Sequence, residues 1–551
     1  MGVPGMFLWL SQKKSDFILN TLDVNIDYLM LDLNCKIHPI CFKIKNENLD
    51  LFCIKTLEEK QINAIIDETK KLIDIINPKI GIYIAIDGVA PLAKIKQQRF
   101  RRYKSIADKK LFDNIKKKHN KSITDMFWNN SAITPGTKFM EKLHIKILEF
   151  IKNSNRKNII YSSCYEPSEG EHKLLQFIKS NLQYSYVVYG LDADLIFLSL
   201  ASQSEKIYLM RESNEIDSRN KSNDLKYVDI ELMKNYIYQI IQNKIIYILN
   251  KKNIINDFIF ICYFLGNDFI PHLPSIDIYD SGIDYLIDIY IKTFQNVSYQ
   301  YLINVTDINI IFFKEFIKLL SLEEDNILNY NYYKKIKKNK FIEDPFEREM
   351  NKIDNLLFNI DDPIKLGYDF KDSIVENNEY KMGWRERYYK NYWDVSSDEL
   401  EKFSSKLVEH YLKGLKWITL YYFDKNPSWN WYFPFDFPPF LSDINKYCID
   451  LNSFTFNIGE PLKPFMQLLT VLPPQSNYLL PQNFRKILTN PNSTLAYLYP
   501  TDFKQCFLYK KKYWMGIPIL PSLDIDLIKY IYYKYEDELT DEEKNRNKII
   551  Y

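Results

Sequence analysis

Asp192 and Asp194 stand two residues apart in "YSYVVYGLDADLIFLSL", with an apolar run on either side. Tyr186, Val187 and Val188 read as a buried strand, so both carboxylates meet a wall of Val, Leu, Ile and Phe. Unpaired buried charge is costly, and such groups are normally paired or bound to a metal. Similar placements recur along the chain. Asp32 closes "YLMLD", Asp87 follows "GIYIAI", Glu169 and Glu171 lie in "EPSEGEHKLL", and Asp268 ends "FIFICYFLGND". Asp32, Asp87 and the Asp192–Asp194 pair fall where a strand gives way to a loop or helix. In an open α/β sheet those carboxyl ends line the ligand crevice. Five separated segments would then deliver seven carboxylates to one place. Such a group cannot stay fully ionised without cations. With no His or Cys cluster, the all-oxygen donors point to Mg²⁺ or Mn²⁺ rather than Zn²⁺. Two such ions about 3.5–4 Å apart suit in-line attack on a phosphodiester.

Each member has an ordinary explanation. One Asp after a strand is usually a turn residue or a helix N-cap. Ser168-x-x-Glu171 before an apolar run is a capping-box pattern. Glu169 and Glu171, two apart, do not share a helix face. Both serve one ion pair only if Glu169 precedes the helix and Glu171 lies in its first turn. The argument rests on the set of five sites and not on any one of them.

A basic segment, "GVAPLAKIKQQRFRRYKS", follows Asp87 directly. Lys94, Gln98, Arg101 and Arg102 fall at i, i+4, i+7 and i+8, on one side of a helix. Converging donors of this kind suit a terminal phosphate, and Arg can bind it bidentately. A solvated helix face would show the same spacing; the position beside a metal-ligand candidate favours the phosphate. His38, Trp429 and Trp431 are candidate platforms for stacking bases, an interaction worth about 1–3 kcal/mol per base.

The elements that must position these residues are legible in outline. The runs "YLMLDL", "IGIYIAID", "NIIYSS" and "YSYVVYG" alternate with helix-like stretches such as "IKKKHNKSITDMF" over residues 1–290. That pattern predicts an α/β domain with a central, mostly parallel twisted sheet flanked by helices. Residues 291–380 read as a connecting region, in which the basic "YYKKIKKNK" (332–340) is a solvated helix face. From 381 to 551 the chain is rich in aromatics, with Tyr411, Leu415, Ile418 and Tyr422 at helical spacing before the irregular, Pro-rich "NPSWNWYFPFDFPPF". This predicts a second, mainly helical lobe that buries its rings against the first.

Composition narrows the class. The 551 residues are 46% hydrophobic and 15% aromatic, with 42 Tyr and 35 Phe, ample for large cores. With 73 basic and 71 acidic residues the net charge is +2, so nucleic acid must be met by segregated local charge. The seven scattered cysteines contain no C-x-x-C pair, against a zinc module or disulfide framework and for a reducing compartment. No apolar run reaches the roughly 18 residues of a membrane span. The start lacks a basic leader, and Met6 stands where a myristoylation signal has Ser or Thr.

The sequence resembles the XRN family of 5′→3′ exoribonucleases, within the flap-nuclease and PIN-like superfamily. The resemblance is carried by "MGVPGMFLWL", "LDLNCKIHPI", "IAIDGVAPLAKIKQQRFRRYKS", "SAITPGTKFM", "EPSEGEHKLL", "YGLDADLIFLSL" and "LGNDFIPHLPSIDI". In the second lobe the motifs are "YLKGLKWITLYYF", "PSWNWYFPFDFPPFLSD" and "PFMQLLTVLPP", in family order to about residue 500. It implies a PIN-like nuclease core and a processive enzyme, dependent on two Mg²⁺ or Mn²⁺ ions, that degrades single-stranded RNA bearing a 5′-monophosphate to nucleoside monophosphates. By position it makes Asp32, Asp87, Glu169, Glu171, Asp192, Asp194 and Asp268 the metal-site carboxylates. Lys94, Gln98, Arg101 and Arg102 become the 5′-phosphate pocket, and His38 with Trp431 or Trp429 the base-stacking residues. Cys35 and Lys36 depart from the family's Gly-Ile, Ser168 from its Gly, and Gly5-Met6 from its Lys-Phe; Cys35 and Ser168 are expected to alter loop geometry. The expected form is a minimal, monomeric core without the long C-terminal extension or zinc knuckle of larger members. It suits the cytoplasm more than the nucleus, and a virus or compact genome. The rival readings are a structure-selective endonuclease of the same superfamily and an RNA-binding protein on a dead nuclease fold.

Overall fold

The computed structural model describes residues 5–48, 53–123, 128–190, 193–216, 224–335, 342–356, 375–376, 379–380, 383–393, 395–507, 510 and 512–551. Asp192 lies outside these residues, as do 336–340 of the basic run and all of that run's side chains. A seven-stranded sheet organises the first half of the chain. Its strands are β1 (Ile18–Leu19), β2 (Tyr28–Asp32), β3 (Gly81–Ala85), β4 (Ile159–Ser162), β5 (Tyr186–Tyr189), β6 (Ile207–Glu212) and β7 (Leu225–Asp229), in spatial order β1-β7-β6-β5-β2-β3-β4. Strands β2 to β6 run parallel, while β7 pairs antiparallel with β6 and β1 antiparallel with β7.

Alternation along the central strands explains why both faces are dry. Leu29, Leu31, Val187 and Tyr189 enter one core, and Met30, Tyr186 and Val188 the other. A sheet covered by helices on both sides must be apolar on both. The chain leaves β2 for β3 and β4 on one side, then crosses back to β5 on the other. The strand order therefore reverses at β2, and the crevice opens at the carboxyl ends there.

Five helices bring side chains to that crevice or close it: α1 (Asn34–Glu47), α2 (Leu92–Lys118), α3 (Gly170–Ser180), α4 (Ala193–Ala201) and α5 (Leu400–Phe423). The expected strands and the helix carrying Lys94 to Arg102 are present. The core is not a free-standing PIN-like layer, however. Two antiparallel strands extend one edge, and α5 buries Leu407, Tyr411, Leu415, Ile418 and Tyr422 in the same continuous core as Leu195, Phe258 and Phe264. The rest of the second lobe gathers a core of its own around Phe465, Leu469, Phe484 and Tyr532, joined by Leu92 and Ile95 of α2. The segment 427–440 runs as irregular coil, as its prolines require.

Candidate active site

Strand ends and helix starts place the acidic residues. Asp32 is the last residue of β2, and Asp87 follows β3 by two. Both meet the first residue of α3. Gly170 donates its backbone N–H to Asp87 Oδ1 at 2.7 Å, and a Cβ on Gly170 would lie 2.8 Å from Asp32 Oδ1. Only glycine lets the helix start come this close. Glu169 is the N-cap residue of α3 and Glu171 lies in its first turn, the arrangement that two carboxylates two residues apart needed. No side-chain capping bond closes this helix start; Ser168 Oγ instead contacts His172 Nδ1 at 3.3 Å. Asp194 sits in the first turn of α4. Asp268 arrives on the loop after Leu265. All six described carboxylates are buried except Asp87, which is partly exposed.

Their partners come from both halves of the chain. Lys94 Nζ lies 2.5 Å from Glu169 Oε1 and 2.7 Å from Asp268 Oδ2. Asn34 brackets Asp87, its amide donating to Oδ2 at 2.9 Å and its carbonyl accepting the Asp87 N–H at 3.1 Å. The Cys35 thiol donates to Asp32 Oδ2 at 3.1 Å. From α5, the Tyr421 hydroxyl donates to Glu169 Oε2 and the Tyr422 hydroxyl to Asp194 Oδ1, each at 2.9 Å. Tyr421 is clamped in a column of rings. His172 stacks on it at 4.3 Å and Trp417 at 4.9 Å, and Trp431 stacks on Trp417 at 5.3 Å.

Electrostatics follow from this crowding. Desolvation, then the Glu169 charge, raises the Asp87 pKa to about 6 against the pull of the Gly170 N–H, Lys94 and Lys173. Lys173 is itself lowered to about 8 by burial. Its ammonium donates to the carbonyls of Ile86 and Ser163, at 2.7 and 2.8 Å. Burial, reinforced by a neighbouring carboxylate, outweighs the two nearby ammonium groups and holds a proton on this acid.

The helix face beyond Lys94 divides in two. Lys94 joins the carboxylates, whereas Gln98 accepts a bond from the Gln467 amide at 3.0 Å. Arg101 is exposed. Arg102 donates Nη2 to Thr134 Oγ1 at 2.7 Å, and its buried Nη1 has no hydrogen-bond partner among the described residues. His38 stands near both arginines. It is open to solvent yet densely surrounded, as a residue lining a concavity is. That desolvation, then Arg101 and Arg102, lowers its pKa to about 4. Trp429 and Trp431 are partly exposed, and Trp429 ties the second lobe to α2 by accepting the Leu92 N–H at 2.9 Å.

Residues 1–213 match the family described as the XRN 5′-3′ exonuclease N-terminus, and residues 248–365 and 369–550 match the Xrn1 helical domain. The chain belongs to the XRN family. Among relatives of this XRN-family chain, 5′-3′ exoribonuclease 2 of Candida albicans is 27% identical, covering 99% of this chain and 74% of the relative. The protein of the same name from Arabidopsis thaliana is 28% identical, covering 100% and 69%. Human 5′-3′ exoribonuclease 1 is 30% identical over 99% of this chain, which spans 35% of that protein. The XRN-family chain is a 5′→3′ exoribonuclease acting on RNA. Solved structures that match include the catalytic core of Rad2 with DNA substrate, in two complexes. They share 14% and 13% identity, cover 64% and 63% of this chain and 78% and 83% of theirs, and have a TM-score of 0.32. A likeness this loose says nothing of substrate. The PIN-like designation is corrected on this chain's own architecture: an α/β nuclease core whose parallel sheet is extended by antiparallel β7 and β1, with a large helical lobe packed on it.

XRN membership implies metal-dependent catalysis. Among the described residues, no three His, Cys, Asp or Glu side chains stand in ligating geometry. Lys94 sits between Glu169 and Asp268 instead. The donor set nonetheless fits a hard cation: six carboxylates, all oxygen, converge around a helix start where glycine alone fits. Sequence reasoning missed Asn34, Gly170, Tyr421 and Tyr422 as partners of the acids. The two adjacent tyrosines ending "LKWITLYYF" were the available signal, since a buried Tyr hydroxyl needs an acceptor.

Proposed function

We propose that this exoribonuclease acts processively, as a monomer in the cytoplasm, on single-stranded RNA with a 5′-monophosphate, releasing nucleoside monophosphates. In this reading residues 1–290 form the nuclease domain, 291–380 connect, and 381–551 enclose the site. Asp32, Asp87, Glu169, Glu171, Asp192, Asp194 and Asp268 hold two Mg²⁺ or Mn²⁺ ions. The observation that carries the reading is the convergence of acids from strand ends, helix starts and the 268 loop on one crevice. When bound, the ions supply an activated water and charge stabilisation at the scissile phosphate.

The chain's own residues do the rest. Asn34 and the Gly170 N–H aim Asp87, while Tyr421 and Tyr422 aim Glu169 and Asp194. Lys94 lowers the net negative charge that an incoming phosphate would meet. The unpartnered Arg102 Nη1, with Gln98 and Arg101, receives the 5′-phosphate. His38 and Trp431, or Trp429 beside it, stack on the leading bases and keep them single-stranded. All seven cysteines are free, which suits a reducing compartment.

The test is a digestion series with end-labelled RNA carrying 5′-monophosphate or 5′-hydroxyl, in Mg²⁺, Mn²⁺ or EDTA. Mononucleotide products, silence in EDTA and a clear preference for the monophosphate are expected. Asp194→Asn should lower turnover by about 10²–10³-fold. Arg102→Ala should shrink the monophosphate-to-hydroxyl rate ratio. Oligonucleotide fragments, or an unchanged ratio in Arg102→Ala, would overturn the reading.

A further inference from the structure

A cavity of about 660 Å³ opens on the second lobe, away from the carboxylates, and lies within the size range of small-ligand sites. Lys529, Lys544 and Lys548 line it, and no carboxylate lies within 4.0 Å of any of their ammonium groups among the described residues. Lys463 also lines it but is spent on Glu536. Glu460 is the remaining acid on the wall. The cavity thus carries a net positive charge centred on Lys529 and Lys544, while Lys548 Nζ lies 5.3 Å from the Tyr165 ring centroid. Tyr533, 55% exposed, presents a ring to the same space.

The inner wall links the cavity to the exonuclease site. Asn430 lines the cavity and stands between Trp429 and Trp431. Its amide nitrogen lies 2.1 Å from where a Cβ of Gly459 would be, and Gly459 has φ of +61°. Glycine is therefore what lets Asn430 face the cavity here. Leu462 and Met466 line the cavity and pack with Val89, just before the phosphate-facing helix, and with Leu92 and Ile95 in its first turn. A ligand seated here would touch the loop that carries the candidate stacking tryptophans.

We propose that this cavity is a second nucleotide-phosphate site: the lysines hold a phosphate, and the base lies on Tyr533 with its edge toward Asn430. Lysines without a carboxylate partner beside an exposed ring match phosphate plus base. An acidic peptide would use the lysines and leave the ring and amide without a purpose. The phosphate can belong to a released nucleoside monophosphate or to RNA downstream of the site. The proposal does not depend on the 5′-phosphate assignment, since none of its residues belongs to that set.

The full chain, kept in EDTA so that RNA stays intact, is titrated with UMP, with a 5′-hydroxyl oligoribonucleotide and with oligoglutamate. Wild type is compared with Lys529→Gln/Lys544→Gln and, separately, Tyr533→Ala. An about tenfold or greater loss of UMP affinity in both variants assigns the site to the free nucleotide. An equal loss for RNA, with the salt slope reduced by about 1.4 in the double lysine variant, assigns it to the strand. Both outcomes support the proposal. Unchanged UMP and RNA binding in both variants, or a lysine-dependent affinity for oligoglutamate alone, overturns it.

Discussion

Two backbone positions at the start of the helix Gly170–Ser180 have opposite requirements. Gly170 is confined by the Asp32 and Asp87 carboxylates, at 2.8 and 3.4 Å from a would-be Cβ. Gly170→Ala is expected to keep the fold, because the neighbours are side-chain oxygens. It should push the two acids apart, weaken Mn²⁺ binding and lower turnover about tenfold or more; metal titration and kinetics read both. Ser168, where the resembling family has Gly, adopts φ of +101°. A side chain there costs about 1 kcal/mol. Ser168→Gly should therefore raise stability by about that amount in denaturant unfolding, less what is lost with the His172 contact. The acid positions were legible because apolar strands end at them. The strain at Ser168 was not, since φ is set by the loop's closure through Gly88 N–H to Ser168 O and Ser168 N–H to Val89 O.

At the scale of elements, the helix Leu400–Phe423 is the brace of the site. Its buried stripe, with Tyr411, Leu415, Ile418 and Tyr422 at helical spacing, could be read from the sequence. What it braces could not, because Tyr421 and Glu169 are 252 residues apart. Tyr421→Phe keeps the ring column and removes one hydroxyl. The fold should persist and Glu169 should lose a fixed orientation, lowering kcat by about tenfold, the rate equivalent of one buried hydrogen bond. KM should change little, and single-turnover kinetics separate the two. A larger fall in stability than in kcat would place the hydroxyl's role in folding instead.

Across the whole molecule, the helix Leu400–Phe423 and its neighbours share one continuous core with the first lobe, so stability and site geometry are tied. Asp257 shows how. It is fully buried and accepts bonds from the Tyr290 hydroxyl and from the N–H groups of Leu302 and Ile303, at 2.6–2.9 Å. Burial raises its pKa from 3.8 to about 7, against those donors. The native state therefore holds a proton that the unfolded chain releases between about pH 4 and 7, and this group's linkage lowers stability as pH rises through that window. Below pH 4 both states are protonated and the linkage vanishes. Asp257→Asn should be less stable overall, because its amide meets N–H donors, and should lack this decline. Thermal unfolding of both proteins from pH 4 to 8 gives the difference.

The sequence by itself determined the parts: strands from apolar runs, acids at their ends, the basic helix from its spacing, a helical aromatic lobe, and the kind of chemistry that oxygen donors allow. Periodicity is local, and local structure follows from neighbours a few residues away. Only the tertiary structure decided the pairings. It set Lys94 among the carboxylates instead of with Arg102, placed Tyr421 and Tyr422 on Glu169 and Asp194, and packed the helix Leu400–Phe423 into the sheet's own core. Those outcomes depend on which distant surfaces pack together, and a side chain's partner across hundreds of residues leaves no mark in the spacing of its neighbours.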